Sequence, residues 1–181
     1  VERGVMIVSD EIYRRIRFSD APAIVSPLSI VGPEHVVVID GVSKSHCMTG
    51  WRIGWALGPA AIIGAMTKVQ SHQTSNPATV SQYAALAALK HADAHVDDLV
   101  RSLEERRNLF IARLDSIKGV TALYPQGAFY VFVDVREVLD ENEDDIIFCQ
   151  ALLEHQSVAA VPGSAFGAAG WLRLSIAVSV E

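Results

Sequence analysis

Of the 181 residues, half are apolar and a fifth are charged, the balance of an ordinary folded chain long enough for one domain and part of a second. A formal net charge of −6 argues against nucleic acid or an acidic membrane as a partner, and the longest basic runs, Arg14-Arg15 and Arg106-Arg107, read as solvated faces. No apolar stretch approaches the roughly 18 residues of a membrane span. The N-terminus lacks a signal-peptide pattern, and Cys47 and Cys149, without metal-ligand spacing, predict free thiols in a reducing, cytoplasmic setting.

The chain starts without methionine. Val1-Glu2-Arg3-Gly4 leads straight into Val5 to Val8, a continuous apolar run that predicts a strand buried on both faces and a first half lying elsewhere. Ser9-Asp10-Glu11 ends it. Phe18 to Glu34, with Pro22, Pro27 and Pro33, reads as irregular, holding at most a helical turn or two. Val36 to Ile39 is a second strand, stopping at Asp40-Gly41 and leading to Ser43-Lys44. Trp51 to Leu57 reads as a third, closed by Gly58-Pro59. The pattern then turns helical over Ala60 to Gln70, and again from Asn76-Pro77 to about Lys90, where Ala84, Ala85, Ala87 and Ala88 suit close packing. Asp93 or Asp97 caps a long helix whose Val96, Leu99, Val100, Leu103, Phe110, Leu114 and Ile117 repeat at helical spacings, and Gly119 ends it. Val120 to Leu123, Ala128 to Val135 and Trp171 to Ile176 read as strands, with a helix over about Asp144 to His155. The order predicts an α/β fold: parallel-type strands with helices first, then a smaller α+β unit, bridged by the long helix.

The most informative segment is Gly41-Val-Ser-Lys-Ser-His-Cys-Met-Thr-Gly-Trp-Arg-Ile-Gly54. Its lysine follows a buried strand among small hydroxyl residues, with an arginine eight positions on in a Gly-bounded turn. Poor hydration and a nearby cation lower a lysine pKa from about 10.4 toward values where the neutral amine attacks carbonyls. Arg52 supplies that cation and can grip a phosphate dianion with its planar fork, while Ser43 and Ser45 add hydroxyl donors. Taken alone, the segment leaves a surface lysine equally open.

Ser9-Asp10-Glu11-Ile12-Tyr13 lies at the carboxyl end of the first strand, where open α/β sheets bind ligands. There Asp10 can accept the proton of a pyridine nitrogen and Tyr13 can donate to a ring oxygen. An N-cap and a half-buried aromatic are the plainer readings of each. Both together, some thirty residues before the lysine, favour a site.

These segments, with Pro125-Gln-Gly-Ala-Phe-Tyr130, Val161-Pro-Gly-Ser-Ala-Phe-Gly167 and Leu172-Arg-Leu-Ser175, follow one order and span the chain. The sequence resembles the fold type I, class I/II aminotransferases of the aspartate aminotransferase superfamily. The resemblance implies that residues 1–98 are the C-terminal part of a large cofactor-binding domain with a mostly parallel sheet. Residues 99–181 would be the small C-terminal α+β domain, joined by the long helix. It implies pyridoxal 5'-phosphate held by Lys44 as an internal aldimine, Asp10 on the pyridine nitrogen and Tyr13 on the phenolic oxygen. Ser43 and Arg52 would bind the phosphate, and Arg173 would clamp the substrate α-carboxylate. Phe166 and the loop from Val161 to Gly167 would line the entrance near that arginine. The partners implied are an amino acid, a 2-oxo acid and a second subunit toward which Ser75-Asn76 reaches; no metal, nucleic acid or membrane is expected. The family's ring-stacking aromatic, the asparagine beside the phenolic oxygen and a phosphate-binding helix N-terminus have no counterpart in these 181 residues.

Transfer of an amino group to a 2-oxo acid is the leading function. A β-lyase of the same fold and an aminotransferase-like sensor domain of a transcription regulator are the alternatives, and Met48-Thr49-Gly50-Trp51-Arg52 favours the first. His46 reads as packing behind the site and Cys47 as a small buried apolar residue. His72, His91, His95 and His155 read as helix-face residues. The acidic run from Asp140 to Asp145 lacks the alternation and glycine of a calcium loop and reads as a solvated lead-in to a helix.

Overall fold

The structure is a computed structural model and describes residues 2–141 and 143–179. In chain order it holds β1 (Ile7–Asp10), α1 (Pro27–Val31), β2 (Val36–Gly41), β3 (Gly54–Leu57), α2 (Ala60–Gln73), α3 (Thr79–His91) and α4 (Asp93–Leu114). Then come β4 (Thr121–Leu123), β5 (Tyr130–Asp134), α5 (Asp145–Gln156), β6 (Val161–Pro162) and β7 (Trp171–Ser175), with 3-10 turns at Thr49–Trp51 and Gly163–Phe166. The α/β class follows directly. The chain divides inside α4: one compact unit holds the residues through Arg17 with Ala21–Leu99, the other holds Phe18–Asp20 with the residues from Val100 on.

The first unit is built on a three-stranded sheet ordered β1-β2-β3. β1 runs parallel to β2, from Ile7 opposite Val36 to Asp10 opposite Ile39, and β3 runs antiparallel, closing at Gly41 opposite Gly54. β2 is central, which is why Val36, Val37 and Val38 are all buried, each worth about 1.5–3 kcal/mol of transfer free energy. β1 departs from expectation. The strand begins at Ile7 rather than Val5, and Val8 is 68% exposed. Among the described residues β1 pairs only with β2, so it is an edge strand. β3 is also shorter than the expected Trp51 to Leu57. Thr49–Trp51 coils into a 3-10 turn and Arg52 sits in the left-handed region at φ 53°, which breaks the extended run. Gly41 is required where the ladder closes: an added Cβ would lie 3.0 Å from the Ile53 carbonyl oxygen and 3.2 Å from Gly54 Cα. Short α1 is started by the Ser26 side chain, which accepts from Leu28 N–H, and by Pro27 at its first turn. In α3, Ser81 and Ala85, one turn apart, form the buried face.

The second unit carries an antiparallel sheet ordered β4-β5-β7-β6. Alternation decides its two faces: Val131, Val133 and Leu172 point to the core, and Tyr130, Phe132, Trp171 and Arg173 point to the other side. Leu103 and Ile111 of α4 and Cys149 of α5 are buried as well. β6 has only two residues, too few for any period to reveal it. Asp144 caps α5 by accepting from Ile146 N–H and Ile147 N–H at 3.0 and 2.8 Å, as a lead-in to a helix should. Its neighbour Asp145 is buried instead of solvated, and Asn142 of the same run lies outside the described residues.

The reading of Arg106-Arg107 as a solvated pair is overturned at Arg107, which is 1% exposed. It occupies the position one turn beyond Leu103 on the apolar stripe of α4. Its NH1 donates to Asp20 Oδ1 at 3.0 Å and to the Pro125 carbonyl at 2.9 Å. Its Nε donates to Asn108 Oδ1 at 3.1 Å, and its NH2 to Glu104 Oε1 at 3.3 Å. The guanidinium carbon lies 4.5 Å from the Phe18 ring centre and 4.3 Å from that of Tyr124. Ser19 N–H donates to Glu104 beside it, so Phe18–Asp20 is tied to this unit by α4.

Candidate active site

In the first unit Asp10 is the last residue of β1, and Lys44 follows the last residue of β2 by three. Because the two strands are adjacent and parallel, their carboxyl ends lie side by side. Glu11 N–H donates to the Ile39 carbonyl at 2.8 Å and extends the ladder past Asp10. Asp10 is exposed, and its Oδ1 accepts from Ile12 N–H at 3.1 Å, which turns the chain at the strand end. Tyr13 is half-buried in the turn that follows, where its carbonyl accepts from Ile16 N–H at 2.8 Å. Ser43 and Lys44, also half-buried, sit in a turn closed by His46 N–H to the Val42 carbonyl and Cys47 N–H to the Lys44 carbonyl. Arg52, exposed, spends one N–H of its NH1 on the Thr49 carbonyl at 3.0 Å, out of the five that a guanidinium carries.

Behind the lysine turn the structure buries Ser45 and His46. Arg15 NH1 faces His46 Nε2 at 3.5 Å and Ser45 Oγ lies 2.9 Å from Nδ1. Since a guanidinium only donates, this arrangement suits a ring with Nε2 as acceptor and an Nδ1–H donating to Ser45 Oγ. Burial, then the Arg15 charge, holds the His46 pKa below its ordinary value, consistent with that neutral ring. His46 is thus a buried packing residue beneath the lysine turn, as expected. Cys47 does not: it is exposed, in a left-handed turn residue at φ 55°, rather than buried. His72, His91, His95 and His155 are exposed on their helices.

A cleft of about 650 Å³ opens in the same unit, with Glu11, Arg15, Asp40, Ser45, His46 and Trp55 among its walls. Asp10 and Lys44 do not line it. Successive side chains on an extended chain face opposite ways, so Glu11 turns into the cleft and Asp10 turns from it. Burial raises the Asp40 carboxyl above its usual range despite the Gly41 N–H that it accepts. Glu11 is held by Ser26 Oγ, by Ser9 Oγ at 3.2 Å and by Arg14 at 3.6 Å.

In the second unit Arg173 stands in the middle of β7, opposite Phe132 of β5 on one side and Val161 of β6 on the other. Its guanidinium carbon lies 4.5 Å from the Tyr130 ring centre and 4.7 Å from that of Phe166. Sequence reading placed Phe166 near the arginine but missed Tyr130. The signal is the register: Tyr130 is the diagonal neighbour of Arg173 across the ladder, a relation that needs the strand pairing to be known.

The donor set of the first unit suits pyridoxal phosphate. It offers an amine on a half-buried turn and a carboxylate that accepts from a backbone N–H. It adds a guanidinium with most of its fork uncommitted and a neighbouring hydroxyl.

Comparison with known proteins agrees along the whole chain. The family model for aminotransferase class I and II matches residues 1–181. The aspartate aminotransferase of Geobacillus stearothermophilus is 46% identical over 183 residues, covering 98% of this chain and 46% of that protein. An aspartate/prephenate aminotransferase of Nitrosomonas europaea is 43% identical, covering 98% of this chain and 47% of its own. The crystal structure of the aspartate aminotransferase from Rhizobium meliloti superimposes with a TM-score of 0.91 at 37% identity, over 97% of this chain and 46% of that one. The chain spans about half the length of the curated relatives it matches.

Proposed function

This chain belongs to the aminotransferase class I and II family, and from that premise we propose that the protein transfers an amino group from an amino acid to a 2-oxo acid with pyridoxal phosphate as its cofactor. The observation that carries the reading is the placement of Asp10 and Lys44 at the carboxyl ends of adjacent parallel strands. The relatives' names support transfer over the lyase and regulator readings, and put aspartate first as the amino donor.

When bound, the cofactor supplies an electron sink for the pair left on the substrate α-carbon. Lys44 Nζ would hold the cofactor covalently and, once the substrate's amino group displaces it as a neutral amine, would take the α-carbon proton. The Asp10 carboxylate would keep a proton on the pyridine nitrogen, and the Tyr13 hydroxyl would donate to the phenolic oxygen. Ser43 and Arg52 would bind the phosphate. Arg173 meets the substrate α-carboxylate edge-on with two parallel N–H groups. A homodimer completes the site, a reading supported by the exposed apolar side chains Val80 and Tyr83 on α3, close after the Ser75-Asn76 segment.

Borohydride reduction of the full-length, cofactor-loaded protein, followed by peptide mapping, tests the assignment. The cofactor is expected on Lys44, and aspartate is expected to convert the unreduced protein to its amine form. A label on Lys68 or Lys90 would overturn the assignment.

A further inference from the structure

Two arginines share the open face of the second unit's sheet, and they are held differently. Arg136 is tied to Asp134, its NH2 and Nε donating to the carboxylate at 2.6 and 3.0 Å. Arg173 has no carboxylate partner among the described residues, only the two rings. A guanidinium packed against aromatic faces keeps its in-plane N–H edge for an incoming planar anion.

One of those rings belongs to Phe166, which is 51% exposed and ends the 3-10 turn Gly163–Phe166. Such a ring needs an anchor to hold one position. The turn has three. Asp145 at the start of α5, 2% exposed, accepts from Ser164 N–H at 2.7 Å. Gly163 packs so tightly that a Cβ would lie 2.3 Å from the Ala168 carbonyl oxygen. Ala168 N–H closes the turn on the Gly163 carbonyl at 3.0 Å. Phe166 also meets Phe132 edge to face at 6.3 Å, and Phe132 stacks on Trp171 at 5.2 Å. The ring is therefore braced from the sheet as well.

We propose that Phe166, carried by the turn that Asp145 anchors, is a positioning residue: it orients the Arg173 fork and so sets the affinity for the carboxylate that amino-acid and oxo-acid substrates share. The inference rests on the reading of Arg173 as the carboxylate site. It adds that the strength of that site is adjusted from Phe166 and, two contacts away, from Asp145.

The test uses the full-length, cofactor-loaded protein with aspartate and a 2-oxo acid, together with calorimetric titration by succinate, which binds without reacting. Phe166→Ala is expected to raise both KM values and the succinate Kd by about tenfold, the scale of a partly desolvated cation–π contact. Little change is expected in kcat or in the cofactor's visible spectrum. Phe166→Tyr restores all three values. Asp145→Asn keeps an oxygen for Ser164 N–H and should fall between wild type and Phe166→Ala. Unchanged KM and Kd in Phe166→Ala overturn the inference, and so does a loss confined to kcat or a shifted spectrum. Arg173→Lys separates the two levels. If it weakens succinate while Phe166→Ala does not, only this inference fails; if it leaves succinate binding unchanged, the carboxylate reading fails and the inference with it.

Discussion

Two pairs of charged side chains, one pair in each unit, are held by different means. In the first, the proposed cofactor residues Asp10 and Arg52 are exposed, and among the described residues each is held by one local backbone bond: Asp10 by Ile12 N–H and Arg52 by the Thr49 carbonyl. In the second, Arg173 lies against two rings and Arg107 is buried among four hydrogen-bond partners and two more rings. A group held only by its own turn can be changed with little effect on folding, whereas a charge built into the packing cannot. The first unit should therefore express its substitutions in chemistry, and the second should express some of them in stability.

Asp10 gives the largest expected effect. Asp10→Ala should slow amino-group transfer by roughly 10²–10³-fold, the scale of losing one preorganised electrostatic partner, while the melting temperature barely moves. Asp10→Asn keeps an acceptor for Ile12 N–H and should be nearly as slow, which separates charge from turn-making. Near-normal turnover in both would reduce Asp10 to a turn residue and remove the first half of the contrast.

Arg107 comes next. Arg107→Met fills similar space but abandons the Pro125 carbonyl and the contact with Asp20, so we expect a loss of about 3 kcal/mol of stability with the visible spectrum of the cofactor-loaded protein unchanged. Denaturant unfolding of the full-length protein measures the first and absorbance the second. A variant as stable as wild type would mean that the buried ion pair was already offset by its desolvation cost.

Acid gives the smallest effect and separates the units by pH window. The folded pKa of His46 lies below its ordinary 6.5, so the unfolded chain binds more protons there, and this contribution to the first unit is lost as pH falls below that value. In the second unit the Arg107 hydrogen bond holds Asp20 below the ordinary carboxylate range. Burial alone would raise Asp145, but the Ser164 and Gly170 backbone bonds more than offset it. Those two contributions are complete above an unfolded pKa of about 3.9 and are lost only below it. Asp40 works the other way, because its raised pKa makes the folded first unit take up a proton near the same range. Hydrogen exchange at mildly and strongly acid pH should show protection falling first around Ser45 and His46, and later around Ser164. The reverse order would contradict the contrast.

Much of this molecule was legible before any coordinates. Local chemistry marks the longer helices: the acidic run ending at Asp144 leads into α5, and the apolar stripe of α4 repeats at helical spacing, whereas α1 lies within a stretch that reads as irregular. The β-branched run in β2 announces a central strand. Asp10, Tyr13, Ser43, Lys44 and Arg52 stand in short segments, because chemistry at a strand end is written within a few residues of that strand. Element ends were less legible. β3 lost its first residues to a left-handed arginine, which no propensity foretells, and Val8 is exposed because an apolar run states what a strand can bury, not whether anything covers it.

By itself, then, the sequence determined the family and most of the order of elements, and it marked the residues proposed to hold a cofactor, because each is recorded in contiguous chain. Only the tertiary structure decided what depends on residues far apart meeting. Arg107 looked like half of a solvated pair until Asp20, Pro125, Phe18 and Tyr124 converged on it from 17 to 89 positions away. Phe18–Asp20 joined the second unit across the intervening chain from Ala21 to Leu99. Arg173 acquired its two rings from another strand and from a turn, and Asp145 became the anchor of that turn, nineteen positions from Ser164. A side chain's charge is a property of its residue type; its burial and partners belong to the packing, which one-dimensional spacing does not encode.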